Sequence, residues 1–187
     1  MTDKDMPMYG EVLGVHLSAK HEFSKASVDE IELIENYGVI GDAHAGVTVQ
    51  HLSRVARDPS QPNLRQVHLV HSELIDELRE QGFAVEMGSM GENITTRGIP
   101  LLDLSVGTRL VFAGGAIVEI TGLRNPCVQL DKYQDGLRNA VIDRDDEGNL
   151  VRRAGVMGIV VQSGHLKKGA RVQCEQPQGT YIPLGPV

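Results

Sequence analysis

The stretch RLVFAGGAIVEIT (residues 109–121) indicates the fold class, because two short apolar segments, Arg109–Phe112 and Ile117–Thr121, flank a pair of glycines. Segments of about four to eight residues that are rich in Val, Ile and Leu and bounded by turn residues are typical of β-strands. Similar segments occur at Glu11–Leu17, Glu30–Ile34, Gln66–Val70, Gly158–Val161 and Arg171–Cys174. The sequence therefore predicts many short strands.

Helix signals are few by comparison. Ser72 is a suitable N-cap for a helix that continues to about Gln81, and Gly82 is a typical residue at which a helix ends. A second helix is predicted to begin at Pro126 and to continue through Val128–Tyr133, and Leu137–Ile142 is expected to continue as another short helix. Many short strands without regular strand–helix alternation favour an antiparallel β-barrel over a doubly wound sheet. We therefore expect a mainly β fold, of the β-rich α+β class, with a few short helices.

The composition and net charge of the chain argue against some classes of function. The chain has 187 residues, and its 18 Lys and Arg against 25 Asp and Glu give a net charge of −7. A binder of nucleic acid or of an anionic membrane needs a basic surface, so we expect neither partner. The start of the sequence lacks the features of a signal peptide, and no apolar run is long enough to cross a bilayer. We expect one cytoplasmic domain over residues 1–187, with a core at about 10–172 and a C-terminal tail at 177–187.

Cys127 is the candidate reactive residue, since two cysteines are too few for a disulfide framework or a four-cysteine zinc site. Asn125 is a suitable N-cap and Pro126 a suitable first helical residue, which predicts Cys127 at about the second position of a helix. The positive helix end and the nearby Arg124 would stabilise a thiolate, which suits a nucleophile or a ligand for a soft metal. A small buried hydrophobe is an equally weighted alternative.

The other candidate side chains give weaker signals. Asp42 and His44 are two residues apart and would share a face of an extended segment, although a turn carboxylate is the commoner explanation for such a pair. His68 and His71 are three apart on a predicted strand, so they would point to opposite faces and would not chelate one ion. Cys174 lies in an alternating strand and is predicted to be structural.

Six stretches of this sequence resemble the MOSC domain, the module named for the C-terminal part of molybdenum-cofactor sulfurases. They occur in the family's order and are GVIGDAH at 38–44, RQVHL at 65–69, GENITT at 91–96, GTRL at 107–110, RNPC at 124–127 and RAGVMG at 153–158. The GENI stretch upstream of a single reactive cysteine is the specific part. The resemblance implies a MOSC-type β-barrel, similar to the β-barrel domain of pyruvate kinase. The resemblance is to a stand-alone bacterial-type member, which lacks the pyridoxal-phosphate sulfurase domain of longer proteins.

The resemblance also implies roles for particular residues. The family's cysteine is thought to carry sulfur or to ligate molybdenum, and related members reduce N-hydroxylated compounds by cleaving the N–O bond. By that likeness Cys127 would be the metal ligand of a molybdopterin-type cofactor, and Asp42 and His44 would be the further catalytic residues. The cofactor-binding set would be Gly41, Arg65, Glu92, Asn93, Arg124, Asn125 and Arg153, with the three arginines as candidates for its phosphate.

One position departs from the family's pattern. Many members have a basic residue after Gly-Asp, where this chain has Ala43. His51 or Arg54 could supply that charge. Both belong to the long stretch Gly46–Leu64, whose apolar residues follow neither a helical nor a strand periodicity. A loop of that length is often functional.

Three hypotheses stay open on the sequence. The first is an oxidoreductase that reduces a small N-hydroxylated substrate at molybdenum and takes electrons from a separate donor protein, since the sequence has no flavin, haem or iron–sulfur signature. The second is a sulfur carrier or transferase in which Cys127 holds a persulfide for metal–sulfur cluster or cofactor biosynthesis. The third is a non-catalytic module that binds the cofactor. The sequence leaves the oligomeric state open.

Overall fold

The central feature of the fold is a closed barrel of seven strands, seen in a computed structural model that describes residues 8–187. The strands are β1 Met8–Leu17, β2 Ala26–Val28, β3 Glu30–Ile34, β4 Gly38–Val39, β5 Val67–His71, β6 Ile94–Arg97, β7 Arg109–Phe112, β8 Ile117–Leu123, β9 Ile142–Arg144, β10 Leu150–Arg152, β11 Val156–Gln162, β12 Gly164–Lys167 and β13 Arg171–Glu175. The barrel order is β13, β7, β8, β11, β5, β6 and β1, and β1 pairs back to β13. These neighbours are antiparallel except for β5 and β6, which are parallel. The predicted mainly β barrel is confirmed.

Alternating burial explains why these segments form the barrel. In β8, Val118, Ile120 and Gly122 are buried and the residues between them are partly exposed, as expected for a strand with one face toward the core. The interior is filled mainly by Val, Ile and Leu, with Phe112 among the largest fully buried side chains. Burial of this apolar surface supplies the main favourable term for folding.

Four short helices lie outside the barrel, and three of them form a second core. The four helices are α1 Leu52–Val55, α2 Ser72–Glu80, α3 Gln129–Tyr133 and α4 Leu137–Ala140. Leu74, Ile75 and Leu78 of α2 pack with Leu130 of α3 and Leu137 of α4. This cluster supports the segment between β8 and α3, which carries Cys127. Within residues 8–187, no helix combines the length and hydropathy that a bilayer crossing requires.

Both predicted N-caps are wrong. The Ser72 hydroxyl accepts a hydrogen bond from Arg97 Nε at 3.0 Å and makes no cap bond, although α2 does end before Gly82, which has a φ of +92°. Asn125 Oδ1 accepts from Arg152 Nε at 2.9 Å, and α3 begins only at Gln129. Cys127 therefore precedes the helix instead of lying in its first turn.

The structure shortens one predicted helix and shows where the C-terminal tail lies. The helix predicted at Leu137–Ile142 ends at Ala140, because Ile142 pairs with Arg152 in the β9–β10 hairpin. The C-terminal tail docks on the barrel, where Leu123 N donates to Gly185 O at 2.7 Å and Val187 N donates to Leu123 O at 3.2 Å. The tail thus contacts β8 immediately before Arg124.

Cys174 of β13 gives a test of the core. Its side chain is 5% exposed, and burial raises the pKa of its thiol to about 11. Cys174→Ser puts a hydroxyl among apolar side chains, so we expect the free energy of unfolding to fall by about 1–3 kcal/mol. Urea denaturation measures this, and Cys174→Ala is the control that removes the sulfur without adding a polar group. Equal stability of the Ser variant and the wild type would contradict the assignment.

Candidate functional site

A cavity of about 630 Å³ lies among the loops that connect the barrel strands. Its size falls within the range of about 300–1,000 Å³ that is usual for small-molecule sites. His44, Gly91, Asn93 and Cys127 all line it, although they come from three stretches far apart in the sequence. The structure thus brings three of the stretches that carry the MOSC resemblance to one place.

Cys127 lies in the cavity lining on a segment fixed at both ends. Arg124 N donates to Gly155 O at 2.9 Å on one side, and Leu130 N donates to Cys127 O at 3.1 Å on the other. The thiol is partly exposed, and its Sγ lies 3.6 Å from Gln129 Oε1. A thiol in a fixed backbone position that faces a cavity can bind a ligand or carry a group.

Arg124 is the most deeply buried cation of the cavity lining that lacks an ion pair. It is 8% exposed, its guanidinium lies 5.6 Å from the ring centroid of Phe23, and its Nη1 has no hydrogen-bond partner among the described residues. Burial lowers the pKa of Arg124, and the charges of Cys127 and Glu92 act against that shift. An arginine stays protonated in proteins, so a buried positive charge with an unsatisfied N–H faces the cavity.

Further cations make the cavity positive. Arg54, Arg65 and Lys132 also line it, and none of the three forms an ion pair within residues 8–187. Burial, together with the charges of Arg54 and Arg124, lowers the pKa of Arg65 to about 10. Glu22 is the one carboxylate in the lining formed by the described residues. The site is therefore suited to an anion, in a chain whose net charge is −7.

Asp42 lies beneath the cavity and anchors its floor. Its Oδ2 is 2.7 Å from Lys25 Nζ and accepts from Asn93 Nδ2 at 3.0 Å and from Ser18 N at 3.2 Å. Its Oδ1 accepts from His44 N at 3.0 Å and from His44 Nδ1 at 3.3 Å. Burial alone would raise the pKa of this carboxyl, but the bonds from His44 and Lys25 bring it well below its usual range. Asp42 is therefore ionised and acts as a positioning residue.

Three imidazoles follow one another along the cavity lining. The His44 ring is 28% exposed, and its centroid lies 5.2 Å from that of His21 and 6.4 Å from that of His51. Because Asp42 accepts from Nδ1, His44 has Nε2 free. Burial and the positive neighbours Arg65 and His44 lower the pKa of His51 to about 4. No group of three His, Cys, Asp or Glu side chains within residues 8–187 is arranged to chelate a metal.

Three of the expected cofactor-binding residues do not line the cavity. Gly41 makes the turn before Asp42, with a φ of +81°. Glu92 is fully buried, where Oε1 accepts from Gly88 N at 2.6 Å, and burial raises the pKa of its carboxyl. Arg153 is paired with both carboxylate oxygens of Glu77, so it is a structural ion pair and not a free cation for a phosphate.

Two of the expected residues line the cavity with some or all of their polar atoms occupied. The Asn93 amide donates to His16 O and Asp42 and accepts from His68 N. The Asn125 amide oxygen is bonded to Arg152, as described above. Asn93 therefore shapes the site, whereas the Asn125 amide nitrogen can still donate to a ligand.

The sequence prediction missed the segment from His21 to Lys25, which connects β1 to β2. It contributes His21, Phe23 and Lys25 to the lining, and no motif marks it. His51 and Arg54, the candidates for the missing basic residue, do line the cavity. The long stretch around them thus supplies a large part of the site.

The Lys25–Asp42 pair predicts a large and pH-dependent effect on stability. Asp42→Asn leaves a Lys25 side chain that is 3% exposed without its counter-ion, so we expect a loss of about 3–5 kcal/mol at pH 7. Because the folded-state pKa of Asp42 is depressed, its contribution is present above the unfolded pKa of about 4 and is lost as pH falls below it. The stability of the variant should therefore depend less on pH between about 5 and 2.

Urea denaturation along that pH series measures the effect. Asp135→Asn, at an exposed position, is the isosteric control and should match the wild type. An Asp42→Asn protein with wild-type stability and an unchanged acid dependence would show that the pair does not anchor the site.

Comparisons with known proteins show what this chain is similar to. A Bacillus subtilis (strain 168) protein described as "Putative metal-sulfur cluster biosynthesis proteins YuaD" is 27% identical over 133 residues. The match spans 65% of this chain and 66% of the relative, which is just under two thirds of the relative's own length.

Solved structures show the same fold. The crystal structure of the YuaD protein from Bacillus subtilis has a TM-score of 0.72 at 22% identity, covering 92% of this chain and 99% of that one. YiiM from Escherichia coli has a TM-score of 0.61 at 18% identity, covering 94% of this chain and 74% of that one. A family model described as "MOSC domain" matches residues 44–173. Since that match covers well over half of the chain, the protein belongs to the MOSC domain family.

Proposed function

We propose that this protein binds a molybdopterin-type molybdenum cofactor and reduces N-hydroxylated compounds at a molybdenum ion ligated by Cys127. The observation that carries the proposal is that the thiol shares one cavity with arginines that have no counter-ion among the described residues. A soft thiolate beside positive charge is a matched site for a soft metal on an anionic cofactor.

The chemistry of the donor set fits this group. The buried Arg124 Nη1 lacks a partner within the described chain, and a phosphate oxygen is the acceptor that an arginine binds best. Since no preformed chelating group exists among residues 8–187, a metal here would take Cys127 as its single protein ligand and bring its other ligands with it. A dithiolene-bound ion meets that condition. Arg124 and Arg65 would bind the phosphate.

The reaction consumes one hydroxylamine-type group, two electrons and two protons, and releases the amine and water. When bound, the cofactor would supply the two-electron chemistry, and a separate donor protein would supply the electrons. We assign proton transfer to His44, because Asp42 fixes its Nδ1 and leaves Nε2 available. Imidazole is the side chain that exchanges a proton most readily near neutral pH.

A sulfur carrier is the second candidate, and the name of the Bacillus subtilis relative favours it. The Cys127 thiolate would take the terminal sulfur of a donor protein's persulfide and leave a thiolate on the donor. Arg65 and Arg124 would stabilise the resulting persulfide anion. This function needs the same thiol and the same positive charge, but no metal.

Cys127→Ser separates these candidates from a structural role for the thiol. A hydroxyl binds molybdenum poorly and carries no persulfide, so we expect loss of the bound group, while the stability of the unloaded protein changes by about 1 kcal/mol or less. Molybdenum, pterin and sulfane sulfur are measured in protein from a cofactor-producing host, beside a melting curve. Cys174→Ala is the control, which should keep the wild-type amount of molybdenum, pterin or sulfane sulfur per folded molecule.

The pattern of bound groups decides between the candidates. Stoichiometric molybdenum and pterin with turnover of an N-hydroxylated compound supports the oxidoreductase, and sulfane sulfur without metal supports the carrier. Bound cofactor without any turnover would indicate a binding module. Full loading of the Ser variant would overturn the role of Cys127.

Arg124 and Arg153 form a matched pair that tests the phosphate site. Arg124→Met removes a buried charge with an unsatisfied N–H, so we expect stability to stay constant or rise by up to about 1 kcal/mol while cofactor retention falls. Arg153→Met breaks a partly exposed ion pair, so it should lose up to about 1 kcal/mol and keep the cofactor. Melting curves and pterin content measure both effects. The opposite pattern would place the phosphate elsewhere.

A further inference from the structure

The cations of the cavity lie at different depths. Arg124 is 8% exposed and lines the same cavity as Cys127. Arg65 also lines the cavity and is partly exposed. Arg54 belongs to α1, none of whose residues is buried, and it is partly exposed. The positive lining therefore extends from the thiol outward to α1.

Arg54 lies on a loop whose base is held by side-chain hydrogen bonds. The loop that carries α1 is closed at its base by Asn63, whose Nδ2 donates to His44 O at 2.9 Å and to Gly46 O at 3.0 Å. Within residues 8–187 Arg54 has no carboxylate partner, so its charge is not neutralised by the protein. An unpaired arginine is thus presented at the outer part of the cavity.

The surroundings of Arg54 also favour an anion. His51 and His21 both line the cavity beside His44, and neither is negatively charged. Glu22 is the single carboxylate among the described lining residues. If Arg124 and Arg65 bind the cofactor's phosphate next to Cys127, the charge of Arg54 is left for the molecule that enters after the cofactor.

We propose that Arg54 binds an anionic group of the substrate, a carboxylate or a phosphate, so that the protein prefers negatively charged N-hydroxylated compounds to neutral ones. This inference rests on the proposed reductase function. A guanidinium forms charge-assisted, often bidentate bonds to either group. Arg54 is in this view a specificity-determining residue, which the reaction at the N–O bond itself does not require.

Two matched pairs of compounds test the proposal. Benzamidoxime against 4-carboxybenzamidoxime tests a carboxylate, and N6-hydroxyadenosine against its 5′-monophosphate tests a phosphate. For the loaded wild type we expect kcat/KM to be about tenfold or more higher for the charged member of at least one pair, as one charge-assisted hydrogen bond allows. The pair that shows the preference identifies the group.

Arg54→Ala should reduce that ratio to about threefold or less, mainly through a rise in KM for the charged compounds. Arg57→Ala is the control, since Arg57 is exposed, lies three residues further along the chain beyond the end of α1, and does not line the cavity. An Arg54→Ala protein with the wild-type ratio, or a wild type without any preference, would overturn the proposal. A loss of the preference in the Arg57 variant alone would do the same.

A binding measurement separates this proposal from the proposed function. Calorimetry compares adenosine 5′-monophosphate with adenosine on the wild type and both variants, without turnover. If neither N-hydroxylated pair is reduced, the reductase function fails. In that case tighter binding of the monophosphate that depends on Arg54, but not on Arg57, still supports an anion contact at this residue. Equal binding of both compounds by the wild type in that case would overturn it.

Discussion

The buried ion pair between Lys25 and Asp42 is the interaction on which the rest of the site depends. The carboxylate is ionised in a place that water does not reach, and it accepts bonds from Ser18, His44 and Asn93 as well. These residues belong to segments from separate parts of the chain, so one charge fixes several loops relative to each other. Breaking such a pair leaves an uncompensated charge, which makes the arrangement all or none.

At the cavity surface, in contrast, Arg65 and Arg124 have no carboxylate partner among the described residues. Arg124 and Arg65 both line the cavity with part of their surface removed from water, and burial of a charge without a partner is unfavourable. Natural proteins carry such unfavourable contacts mainly where function requires them. A bound anion would satisfy the Arg124 N–H and offset the unpaired positive charge, so the loaded protein should be the more stable state.

Local patterns predicted the strands well and the side-chain partners badly. The alternation at Arg109–Phe112 marks β7 residue by residue, because one face of the barrel wall is buried throughout. Asn125 has the right chemistry for an N-cap, but its partner is Arg152, 27 residues away, and no local pattern reveals that contact. Likewise, only the fold shows that Arg153 is neutralised by Glu77. Cys127 could be identified from the sequence because its motif is contiguous. The cations around it come from separate parts of the chain, so one local motif does not identify them.

The pairing of β1 with β13 has a consequence for how the protein folds. Met8 lies opposite Cys174, so the barrel closes only when segments from nearly opposite ends of the described chain meet. Pairing of this kind slows folding, and until it forms both strands present an open edge that other chains can join. The loops that form the cavity come from both halves of the barrel. A ligand therefore finds its complete set of contacts only in the closed barrel.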